Sequence, residues 1–170
     1  MKFIKILLLT ALINTTILSF SIAEDVEKPV PNFKFNTSLP LEIRSKELNI
    51  EQNTGRATFS GNVIATQGNL ILTALTLVVE YVLKNSRMTN EMEKLTANKD
   101  VTIVSETQSA VANKMVYDVM SEKIIMTGDV ILEEGLSATS GDRLTINLNT
   151  GSRRMEGNVR TLILSEEGDK

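Results

Sequence analysis

The 170-residue chain contains no cysteine, no histidine and no tryptophan, and it has only three prolines. Without cysteine there is no disulfide framework, Fe–S cluster or thiolate zinc site. Without histidine as well, the Ser-His and Cys-His nucleophilic pairs, HExxH metal sites and the ordinary proton shuttle near neutral pH are all excluded. A carboxylate-only hydrolase would need paired acids, and Glu133-Glu134 is the adjacent acidic pair in the body of the chain. It lies directly before Gly135, so it reads as solvated charge at a turn. These absences point away from an enzyme, a metal site or a bound cofactor.

Basic tracts are missing too. The formal charge is 18 − 21 = −3, with no electrostatic footprint for nucleic acid. The one long apolar run lies at the start, where Lys2 and Lys5 precede Ile6 to Phe20 and Ser21-Ile22-Ala23 supplies a small-x-small cleavage pattern. The run is interrupted by Asn14-Thr15-Thr16 and falls short of the roughly 20 apolar residues of a membrane span. We read residues 1–23 as a signal peptide cleaved after Ala23, the alternative being an uncleaved anchor. Cleavage removes two lysines and leaves 16 − 21 = −5 on an exported chain.

All three prolines (Pro29, Pro31, Pro40) lie in residues 24–40, which read as a flexible lead-in rather than core. From Leu41 to about residue 165 the segments are short, rich in Val, Ile, Leu and Thr, and punctuated by Gly, Asn and Asp. This is the pattern of one all-β domain, followed by a charged tail at 166–170.

The chain repeats itself. Gly61-Asn62-Val63 is matched by Lys99-Asp100-Val101, Gly128-Asp129-Val130 and Gly157-Asn158-Val159. The last three valines are 29 residues apart, whereas the first interval is 38. The extra nine residues match the polar stretch Lys84 to Met92, which we read as a long loop. Eleven residues after three of the valines come Ala74, Ala112 and Gly141, so small residues mark a second fixed phase. Apolar side chains follow these at offsets of three and five: Leu77 and Val79, Met115 and Tyr117, Leu144 and Ile146. Offsets two apart on a strand share a face, so each unit is a pair of alternating strands with one apolar side.

One such unit cannot bury that side alone, so units stack around a shared interior. The expected architecture is an elongated antiparallel β jelly roll or roll of two facing sheets, with the Gly-Asn/Asp-Val positions acting as bends. The first strand, around Leu41 to Ile50, and the last, around Met155 to Leu164, would be unpaired edges open to augmentation by partner strands.

The blocks ATFSGNVIATQG (57–68) and LILTALTLVVEY (70–81), with Val116-Tyr117, Met126-Thr127-Gly128-Asp129-Val130 and Gly141-Asp142-Arg143-Leu144, resemble the OstA-like family. The resemblance runs from about Leu41 to about Leu164, and departs at Ala74-Leu75 and Ala112-Asn113, where the family commonly has Ala-Asp. It implies a twisted β jelly roll in the periplasm that carries lipopolysaccharide to the outer membrane and is not an enzyme. Acyl chains of the lipid would lie in an interior groove. The implied partners are similar domains joined head to tail: an LptC-like inner-membrane protein, an LptD-like outer-membrane protein, and further copies of the chain itself. Alternatives are the membrane-anchored LptC-like component, or a purely structural repeat with a dry core. The inward-phase residues we expect to face lipid are Leu41, Ile43, Phe59, Val63, Ile103, Met115, Tyr117, Val119, Met126 and Leu132.

Overall fold

Alternation of apolar and polar residues produces ten antiparallel strands among the described residues: β1 (Glu42–Arg44), β2 (Glu47–Glu51), β3 (Arg56–Gln67), β4 (Leu70–Lys84), β5 (Arg87–Val104), β6 (Gln108–Asp118), β7 (Lys123–Glu134), β8 (Ser137–Asn147), β9 (Arg153–Glu156) and β10 (Arg160–Ile163). They form one sheet in which β3 to β8 pair in chain order. Both β1 and β2 pair with β3 at one end, and both β9 and β10 pair with β8 at the other. The computed structural model describes Phe33 and residues 39–164; the expected signal peptide, most of the lead-in and the tail at 166–170 lie outside the described residues.

Each terminal strand expected to be continuous is broken in two, because the sheet bends there. The bend recurs at each Gly-Asn/Asp-Val position. Ser60 pairs with Thr76 and Val63 with Ala74, so Gly61 and Asn62 together oppose the single residue Leu75. Lys99-Asp100 opposes Asn113 in the same way, and Gly128-Asp129 opposes Asp142. Gly61 (φ 85°), Asn62 (50°), Lys99 (63°), Asp100 (52°), Gly128 (83°) and Asp129 (48°) are all left-handed, as is the Gly157-Asn158 pair between β9 and β10. Two consecutive left-handed residues bulge the strand and turn its course. Glycine enters this conformation freely, and Asn or Asp tolerates it. Lys99 adopts it without either advantage.

Stacked bulges crease the sheet along a line crossing every long strand. On one side of the crease the registers align Phe59, Leu77, Ala97, Met115, Met126 and Leu144 into one row, and Ala57, Val79, Leu95, Tyr117, Ile124 and Ile146 into another. On the other side they align Ile43, Ala65, Leu72, Ile103, Ala110 and Leu132. Residues from both sides belong to a single buried cluster. The two half-sheets therefore face each other, one sheet folded on itself rather than two separate sheets.

An ion pair demonstrates the folding. Arg153 pairs with Ile146, and Ile146 with Ile124, yet the Arg153 guanidinium donates to the Glu134 carboxylate. Glu134 lies ten residues along β7 from Ile124, about 33 Å in a straight strand. Only a strand doubled back at Gly128-Asp129 brings the two together.

The nine-residue insertion is not a loop. It lengthens β4 and β5 into a hairpin closed by Asn85-Ser86, whose φ values of 52° and 58° match the two-residue turn that suits strand twist. The Thr89 hydroxyl donates to the Val82 carbonyl (2.8 Å), and Lys84 pairs with Glu91 (2.7 Å). Polar composition suggested solvation, but alternate polar residues on a projecting hairpin satisfy the same requirement.

Candidate functional site

The interior of the folded sheet brings together all ten residues singled out from the sequence. Val63, Ile103, Met115, Tyr117, Met126 and Leu132 are buried in the cluster, and Leu41, Ile43, Phe59 and Val119 are partly buried against it. Leu41 precedes β1, and Val119 occupies the turn after β6, where its N–H donates to the Glu93 carbonyl at 3.0 Å. The other eight are strand residues in the expected inward phase.

The small residues explain the shape of this interior. Ala74, Ala112 and Gly141 pair directly with Val63, Val101 and Val130, immediately beside the crease. There the half-sheets converge, and a Cβ on Gly141 would meet the Met155 side chain at 2.6 Å. Away from the crease larger Leu, Ile, Met and Tyr side chains, interspersed with Ala57, Ala65, Ala97 and Ala110, fill the space between the half-sheets. The cross-section is a wedge, narrow at the crease and wide at the mouth, where the hairpin turns form two rims.

The wedge is open at both ends. At one, Leu48 and Ile50 of β2 lie in register with Phe59 and Ala57 but remain 48% and 53% exposed, since no further strand among the described residues covers them. At the other, Ile163 of β10, on the inward face in line with Ser137 and Glu134, is 71% exposed. At that edge the row through Leu144 continues to the partly buried Met155, and the row through Ile146 ends on Arg153.

The mouth carries features that periodicity did not reveal. Phe33, expected in a flexible lead-in, is buried in the same cluster. The Gln67 side chain donates to the Leu39 carbonyl at 3.1 Å, fastening the approach to β1 over that rim. Toward the other end stand Gln108, Glu134 and Arg153. Glu134 is the last residue of β7, not a turn charge, and it accepts from both the Gln108 amide and the Arg153 guanidinium. Its neighbour Glu133 points outward and accepts from the Ser109 hydroxyl at 2.7 Å. Only strand parity separates the two acids. The 29-residue spacing could have supplied this signal, because Glu134 sits at an inward phase two residues beyond Leu132.

Electrostatics leave the centre of the groove neutral. Burial pushes the Tyr117 phenol above its ordinary value, and the nearby Glu122 and Asp118 carboxylates add to the shift, so the hydroxyl stays protonated. Asp118 is held below the usual carboxylate range by the Ser121 backbone N–H (2.8 Å) and hydroxyl (2.7 Å), which pins the β6–β7 turn. An uncharged interior of this kind selects apolar matter by burial rather than by directed bonds.

Comparison with known proteins agrees with this geometry. The family described as LptA/(LptD N-terminal domain) LPS transport protein matches residues 42–152. The lipopolysaccharide export system protein LptA of Haemophilus influenzae is 23% identical over 164 residues, covering 94% of this chain and 88% of that protein. An uncharacterized protein of Rhizobium meliloti is 24% identical over 144 residues, covering 82% of this chain and 77% of its own length. The crystal structure of LptH, the LptA-homologous periplasmic component of the lipopolysaccharide transport device of Pseudomonas aeruginosa, superposes with a TM-score of 0.66 at 14% identity, covering 75% of this chain and 97% of LptH. That likeness fixes the fold as the LptA-like one. From the matched family, the chain belongs to the LptA/LptD N-terminal-domain proteins of lipopolysaccharide transport, and its role is transport rather than catalysis.

Proposed function

We propose that the chain is a periplasmic carrier that holds the acyl chains of lipopolysaccharide inside the folded sheet and passes them along the apolar rows. The observation that carries this reading is the continuity of those rows from the exposed Leu48 and Ile50 on β2 across six strands to Leu144 and Ile146 on β8, where one goes on to Met155 and the other meets Arg153. Burial releases about 0.8 kcal/mol per CH₂, so a twelve-carbon chain gains roughly 8 to 10 kcal/mol before ordering costs. Opening the wedge to admit it displaces packed side chains, and Met115 and Met126 at the centre are the residue type that repacks most readily.

The free edges support head-to-tail joining with similar domains, including LptC-like and LptD-like partners and further copies of this chain. The segment from Glu42 to Glu51 carries three acids and two bases (2 − 3 = −1), whereas Arg153 to Ile163 carries three bases and one acid (3 − 1 = +2). Opposite charge on opposite edges favours one end meeting the other.

The absence of tryptophan gives a clean test. Phe59→Trp places a reporter in the groove and Thr66→Trp places one on the outer face. Added lipopolysaccharide should shift the Phe59→Trp emission to the blue and leave Thr66→Trp unchanged; equal responses, or none, would refute acyl-chain binding in the interior.

A further inference from the structure

We infer that Arg153, held across the mouth of the wedge by Glu134, which also accepts from Gln108, is the cation that receives the anionic head group of the lipid. This inference rests on the carrier reading above. Arg153 belongs to the half-sheet that holds Ile146, and Glu134 and Gln108 belong to the facing one. The Arg153–Glu134 ion pair is therefore a tie between the two rims, whereas Gln108 braces Glu134 from the neighbouring position in the β6–β7 ladder.

Three observations point to a ligand. Arg153 enters at the end of the row running through Tyr117, Ile124 and Ile146, so a charged group terminates an otherwise apolar track. An acyl chain lying on that row brings its polar end to Arg153. The ion pair is half-sheltered, with side chains 19% and 35% exposed, so it is desolvated enough to be strong and open enough to be exchanged. Finally, Gln108 donates its amide N–H to Glu134, while its own Oε1 is buried and accepts from no group among the described residues. Reversing that amide would set its oxygen against the carboxylate, so the orientation is fixed by Glu134 and a buried acceptor is left over.

A phosphate-type head group fits these demands. Its oxygens match the planar guanidinium as well as a carboxylate does, and can replace Glu134 on Arg153. An amide N–H or hydroxyl beside that phosphate would satisfy Gln108 Oε1. Glu134 neutralises Arg153 and holds the rims together. With lipid bound, the exchange unfastens the rims where the chains must pass.

Binding of the full exported chain, read by Phe59→Trp emission, tests this with a phosphorylated lipid A, its dephosphorylated form and inorganic phosphate. Arg153→Met should weaken the phosphorylated lipid about tenfold and leave the dephosphorylated one unchanged. Glu134→Gln should tighten the phosphorylated lipid several-fold, a gain that misfolding cannot produce. Inorganic phosphate at the same concentration should not compete. Equal effects of Arg153→Met on both lipids, no effect on either, weaker binding by Glu134→Gln, or saturation of the site by inorganic phosphate would each overturn the assignment. Binding of neither lipid by the unaltered groove would overturn the carrier reading and this inference together; loss of discrimination alone would overturn only the role of Arg153.

Discussion

Val130 pairs with Gly141 across β7 and β8 at the crease, where the facing half-sheet leaves no room for a side chain on Gly141. The equivalent pairs in earlier units hold Ala74 and Ala112. Gly141→Val should therefore lower stability by about 1 to 3 kcal/mol through overpacking against Met155. Urea denaturation measures it, and β9 should be the element that loses hydrogen-exchange protection first.

The bulges predict opposite signs for two exchanges at one phase. Lys99 is a non-glycine residue held at φ 63°, so Lys99→Gly removes a left-handed penalty and should stabilise the fold by up to about 1 kcal/mol. Gly128 is at φ 83° with Asn113 close by, so Gly128→Ala should destabilise by about 1 to 2 kcal/mol. Thermal melts of the two variants should bracket the unaltered chain.

Tyr117 gives a pH dependence of defined sign. Its folded value lies above the ordinary 10.0, so on raising the pH the unfolded chain loses the phenolic proton first. Stability from this group is full below about pH 10 and declines as pH rises toward the folded value. Tyr117→Phe should flatten that decline, seen as a smaller difference in urea midpoint between about pH 9 and about pH 11.

Head-to-tail joining should depend on the basic edge. Arg154 and Arg160 are exposed on β9 and β10, and changing both to Glu should slow association about tenfold at low ionic strength, with the difference shrinking as salt is added. Analytical ultracentrifugation across a salt series measures this.

Much of this architecture was legible because its register is written in side-chain volume. Val63 and its copies, the small residues eleven positions later and the pairs at offsets three and five fixed which faces turn inward, and the folded sheet places all ten expected residues inside. Three matters were not legible, for physical reasons. The Lys84–Met92 insertion is polar like a loop, but a two-sided solvated hairpin has the same composition. Glu133 and Glu134 are chemically identical, and although the repeat phase could tell which one turns inward on β7, it carries nothing of Arg153, which reaches Glu134 only because the sheet folds on itself. Phe33 lies outside the repeat, so no periodicity marks it as core.

The central claim is that lipid occupies the interior of the fold, and photo-crosslinking in cells addresses it most directly. Photoreactive residues at Ile103 and Tyr117 face the groove, and Thr66 and Lys114 face away from it. The account predicts lipopolysaccharide adducts at Ile103 and Tyr117 and none at Thr66 or Lys114. Adducts confined to the outward pair would contradict it and leave the interior as packed core.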